Sequence, residues 1–119
     1  MTWQDEWEKH ARWELESYDA QPVRDLLERV SNGYFGAYYV IWDSIANRST
    51  LSEAGWTLFA VLEMDVDYLY RYHAADALLK LMGDAPWEPV QLSAGHAGQA
   101  DRLANVKQTL VEWIGDPVQ

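Results

Sequence analysis

His73 and Asp76 stand three residues apart, a short way downstream of Asp65 and Asp67. On a helix that spacing turns both side chains to one face. A general base among carboxylates, or part of a metal site, is therefore the first chemistry to consider. Zinc sites take three or four protein ligands in a held geometry, and the chain contains no His-x-x-x-His or Glu-x-x-His pair. His73 and Asp76 then read as the polar flank of an amphipathic helix, and neither a metal nor a cofactor is expected.

The other nucleophiles and anion cradles are weaker still. No serine sits in Gly-x-Ser-x-Gly, the turn that exposes a hydrolase nucleophile, and Ser17, Ser31, Ser44, Ser49, Ser52 and Ser93 fall mostly at caps and turns. Ser93-Ala-Gly-His-Ala-Gly offers backbone amides at a helix start, where an anion could rest. It lacks the lysine and the full glycine pattern of a phosphate loop. Paired carboxylates such as Asp5 with Glu6 and Asp65 with Asp67 suit helix caps and solvated charge. With no cysteine there is no thiolate, no disulfide and no Cys-ligated metal. No catalytic role is expected from these residues.

Tyr68 and Tyr72 are of a different kind. They lie four apart, off the apolar stripe Val66, Tyr70, Ala74, Ala77, Leu81. Rigid tyrosines beside acidic groups bury area at low entropic cost, a composition common to recognition surfaces. The alternative is that another helix covers them.

The elements that position these residues all read as helices. Thr2 can cap a first helix to about Tyr18, whose stripe Trp3, Trp7, Ala11, Leu15, Tyr18 is expected to face the body of the domain. Pro22 suits the first position of a second helix, which Asn32-Gly33 ends. A third is expected to follow at once, with Phe35, Tyr38, Tyr39, Trp42 and Ile45 on one broad face. Thr50 and Glu53 form a capping box for a fourth, and a fifth runs from about Val66 to Met82 behind an Asp65 or Asp67 cap. The segment Asp84 to Ser93, with Pro86 and Pro89 about Trp87, is expected to be the longest loop. A last helix carries Leu103, Val106, Leu110, Trp113 and Ile114 and ends at Gly115-Asp116-Pro117.

At 119 residues the chain can bury one core. Its 49% hydrophobic content is too high for a disordered segment. The start is charged and lacks an apolar run of signal length, and nothing approaches the ~20 apolar residues of a membrane helix. A cytoplasmic protein is expected. The net charge of −10 argues against phosphate-backbone binding, which needs Lys and Arg. It steers basic partners inward instead.

Leu58, Leu62, Asp65, Asp67, Tyr70, Arg71, Ala74, Ala75, Ala77, Leu78, Leu81, Gly83 and Asp84 together spell a pattern that resembles a HEAT repeat of the armadillo-like helical solenoids. Two departures stand out: Tyr70 replaces the usual valine, and Met82 adds a residue before the glycine. The match covers about a quarter of the chain at one unit per ~40 residues. The resemblance implies an all-α, short right-handed stack of antiparallel hairpins with about six helices in a single 1–119 domain. Helices two with three and four with five would pair, and the first and last helices would close the ends. It also implies that the second helix of each hairpin lines one side, bringing Tyr68, Tyr72, His73 and Asp76 beside Tyr34, Tyr38 and Asp43. The expected function is non-catalytic binding of a basic peptide or protein surface, without nucleic acid or membrane. A small-molecule or metal-assisted enzyme using His73 and nearby carboxylates is one alternative; self-association through the Trp-rich first helix is another.

Overall fold

Short polar side chains start three of the described helices, pairing amides that the first turn leaves free. Thr2 and Asp5 cap α1 (Trp3–Asp19) reciprocally, and Thr50 and Glu53 do the same for α4 (Leu51–Leu62). Each box satisfies amides that a first turn leaves unpaired. The computed structural model describes residues 2–83, 85–93 and 98–117, and helices are the only regular elements among them. Pro22 precedes α2 (Val23–Ser31) as its cap rather than its first residue. Asp67 accepts from the Leu69 amide at 2.9 Å and so starts α5 (Tyr68–Met82), two residues later than Val66. Gly83 ends α5 at φ +79°, a conformation open to glycine. The set is completed by α3 (Val40–Arg48), α6 (Pro89–Ser93) and α7 (Gln99–Ile114), making seven described helices where about six were expected.

Consecutive helices pack as pairs, α2 on α3, α4 on α5, α5 on α6 and α6 on α7, and further contacts skip a helix or more. α1 packs on α3 and α3 on α5, while α2 packs on α4 and α4 on α7. The α4–α5 hairpin joins the two rows, and α6 bridges α5 to α7. One apolar cluster results, from Leu26 and Val30 through Ile41, Trp42, Ile45, Leu58, Val61 and Leu78 to Val106 and Leu110. α5 is its centre. Ala74, Ala75, Ala77, Leu78, Leu79 and Met82 bury almost every side of its later turns, because α3, α4 and α6 all lie against it. Small alanines let those neighbours approach. At the far end, a Cβ on Gly55 would stand 3.0 Å from Ile114 Cδ1, so the missing side chain seats α7 on α4.

Three expectations are corrected. The third helix does not follow the second at once: residues 32–39 form the longest described non-helical run, and Tyr34, Phe35 and Tyr38 lie in it. Three positive-φ residues, Gly33 (φ +84°), Gly36 (φ +74°) and Tyr39 (φ +62°), hold that run out of helix until Val40. The proline segment expected to be a loop contains α6, with Pro89 in the first position where a missing amide costs nothing. Arg71 anchors it, donating from Nε to the Ser93 carbonyl at 3.1 Å and from Nη1 to the Val66 carbonyl at 2.6 Å. Lastly, the α1 stripe turns inward only at its C-terminal end. Ala11 and Tyr18 are buried, whereas Trp3 is 80% exposed and Trp7 is also open to solvent. No described helix is long and apolar enough to cross a membrane.

Candidate functional site

The α3–α5 contact brings His73 under the ring of Tyr39. The two planes stack at 4.5 Å, and Tyr72 meets His73 edge-on at 5.6 Å. Tyr68 follows at 6.1 Å from Tyr72. The result is a ridge of four rings, Tyr39, His73, Tyr72 and Tyr68, that is half-buried at one end and exposed at Tyr68. Tyr39 is the member that sequence reasoning assigned to the core face of a helix. It stands in the left-handed region just before α3. For a bulky side chain that conformation costs roughly 1–2 kcal/mol. Its contacts with His73 and with Tyr70 at 5.9 Å hold it there.

Charge borders the ridge. Asp76 sits one turn from His73 and pairs with Lys80 at 3.1 Å, and Asp43 of α3 is exposed nearby, close enough to act on His73. Burial pushes His73 below its ordinary 6.5, while Asp76 and Asp43 pull the other way and offset part of the shift. The folded state thus favours the neutral ring. Stability linked to His73 is fully present above the unfolded value of 6.5 and is lost as pH falls through the lower folded value. His73→Gln is expected to flatten the fall in Tm on the acid side of pH 6.5. Parallel profiles for parent and variant would show that His73 carries no such linkage.

The remaining candidates separate from this ridge. Tyr38 meets the α1 side chains instead, edge-on to Trp7 at 5.6 Å and stacked near His10 at 6.3 Å. Tyr34, 69% exposed, lines an open cleft of ≈ 600 Å³ with Tyr18, Arg29, Phe35, Asp67 and Tyr70. Of the seven expected binding residues, the structure therefore groups Tyr68, Tyr72, His73, Asp76 and Asp43, and places Tyr34 and Tyr38 apart. The 32–39 run decides this, since it carries both tyrosines away from the α3 axis.

Beneath the cleft, the Tyr18 hydroxyl donates to Glu14 Oε1 at 2.8 Å, and the Ala37 amide donates to the same oxygen at 3.1 Å. Burial, then that bond to Glu14, pushes the Tyr18 phenol up to about 12. This is an anchored link between α1 and the 32–39 run rather than a reactive phenol.

No family model, curated protein or solved structure matches the chain. Its chemistry has to be read from the side chains alone. Among the described residues no three His, Asp or Glu side chains gather as a metal site. The anion cradle expected at Ser93-Ala-Gly-His-Ala-Gly falls on residues 94–97, outside the described residues. The Ser93 hydroxyl itself is buried and donates to the Pro89 carbonyl at 2.7 Å. What the ridge can do is stack, and accept cations at its acidic border.

Proposed function

We propose that the chain is a non-catalytic protein-binding module whose ridge of Tyr39, His73, Tyr72 and Tyr68 takes a basic peptide or basic protein surface. The observation that carries this reading is the run of touching rings bordered by Asp43 and Asp76. Flat rings offer area at low entropic cost, cations favour their faces, and the net charge of −10 draws a basic partner in. The alternate-helix packing supports a short stack of hairpins resembling HEAT repeats, with the ridge on the α1–α3–α5 row. A cytoplasmic location belongs to the same reading, compatible with a cysteine-free composition.

The test replaces Tyr68 and Tyr72 together by Ala. Tyr68 is exposed and Tyr72 lies off the buried cluster, so the variant is expected to keep its helical circular dichroism. Affinity for lysine- and arginine-rich peptides, measured by titration calorimetry, is expected to fall by about 2–4 kcal/mol. Added salt is expected to slow association more than it speeds release, because screening removes long-range steering. Equal affinity of parent and double variant sinks the ridge as the binding face.

A further inference from the structure

α1 carries a second stripe besides the one that turns inward. Trp3, Glu6, His10 and Trp13 follow at intervals of three, four and three residues, the spacing of a coiled-coil seam. All four are open to solvent: Trp3 is 80% and Trp13 53% exposed, and the Glu6 and His10 side chains are each close to half exposed. Lys9 lies over the Trp13 ring at 4.8 Å, His10 meets Trp13 edge-on at 5.2 Å, and Glu6 reaches His10 at 3.7 Å. Tyr38 of the 32–39 run flanks this row at His10, 6.3 Å away, and leaves both tryptophan rings open to solvent.

The order of side chains along this row decides what fits it. We propose that the Trp3, Glu6, His10, Trp13 seam of α1 pairs with the same seam of a second copy, antiparallel, about a two-fold axis beside Glu8. Residues whose numbers sum to about sixteen then face each other, as the a and d layers of an antiparallel helix pair do. Trp3 lies against the partner's Trp13, and Glu6 lies against the partner's His10. Each contact occurs twice, as a two-fold interface requires.

Charge excludes the other arrangements. A parallel pair would set Glu6 against the partner's Glu6, and two chains of net charge −10 have no surplus attraction to absorb that. A basic partner would meet Lys9, His10 and Arg12, three of the twelve residues between Thr2 and Trp13 on this helix or its cap. Acidic Asp5, Glu6 and Glu8 precede basic Lys9, His10 and Arg12, an order that is complementary to itself when reversed. The interface is small, on the order of 1,000 Å² for both copies, which is the lower edge of specific association. The dimer is therefore reversible on dilution.

Sedimentation of the parent protein from about 1 µM to about 1 mM, a range suited to an interface of this size, is expected to show a monomer–dimer equilibrium. Trp3→Ala with Trp13→Ala is expected to raise the dissociation constant at least about tenfold. Both rings are exposed, so circular dichroism is expected to match the parent. Glu6→Lys alone sets Lys against the partner's His10, and His10→Glu alone sets Glu against the partner's Glu6, so each is expected to weaken pairing. An equimolar mixture of these two variants is expected to form a mixed dimer tighter than either alone, because Lys then faces Glu. A parent that stays monomeric throughout, a double-tryptophan variant that dimerises as tightly as the parent, or a mixture that gains nothing each overturns the proposal.

Discussion

Trp42→Ala is expected to lower stability by about 3–5 kcal/mol, and Tm by on the order of 10–20 °C. Trp42 is 2% exposed, the largest of the fully buried side chains, and its ring lies 5.4 Å from Phe35, which in turn lies 4.7 Å from Tyr70. Removing it opens a cavity between α3 and α5, the two helices that frame the aromatic ridge, and α5 is too tightly held on its other sides to collapse inward. The indole Nε1 has no hydrogen-bond partner among the described residues. A buried donor in that state costs roughly 1–3 kcal/mol. Trp42→Phe therefore loses ring volume but also sheds that penalty, and is expected to cost less than about 1.5 kcal/mol. Thermal or urea unfolding of the two variants side by side checks both figures. If Phe is as damaging as Ala, the indole N–H has a partner in solution.

Gly36→Ala is the second large effect, expected at about 2–4 kcal/mol from strain and a broken network together. Gly36 holds φ at +74°, where a side chain is strained whatever its surroundings. The added Cβ would also stand within 2.1 Å of Glu14 Oε1 and 2.3 Å of the Tyr18 hydroxyl. The Glu14 carboxylate can swing away, but doing so releases both the Tyr18 hydroxyl and the Ala37 amide. The 32–39 run then loses its tether to α1. Gly33→Ala is the control: it shares the positive φ, yet nothing lies within 4 Å of its Cβ. Unfolding midpoints should separate the two by more than the strain they share, and equal losses would place the effect in backbone strain alone.

The helices were legible wherever local chemistry decides them. Thr2 with Asp5, Thr50 with Glu53, and Asp67 before α5 act through amides a few residues away, so their sequence spacing is already the interaction. The ridge was only partly legible. Tyr68 and Tyr72 could be marked from their position off the apolar stripe, but Tyr39 could not. Its place beside His73 depends on a left-handed turn before α3 and on the packing of α3 against α5. Helical periodicity carried across residues 35–39 put Phe35, Tyr38 and Tyr39 on a helix face that begins only at Val40.

An all-helical chain, its caps and stops, its acidic surface and its lack of thiol chemistry follow from the sequence by itself, because each rests on residue type or on contacts within one turn. The tertiary structure alone decided which half of the α1 stripe is covered, that α6 is held by Arg71, and which tyrosines meet His73. Those outcomes depend on side chains brought together from 22 to 34 residues apart, as in Arg71 to Ser93 and Tyr39 to His73. Apolar periodicity marks which face of a helix is buried, but burial is non-directional and does not say which distant segment covers that face.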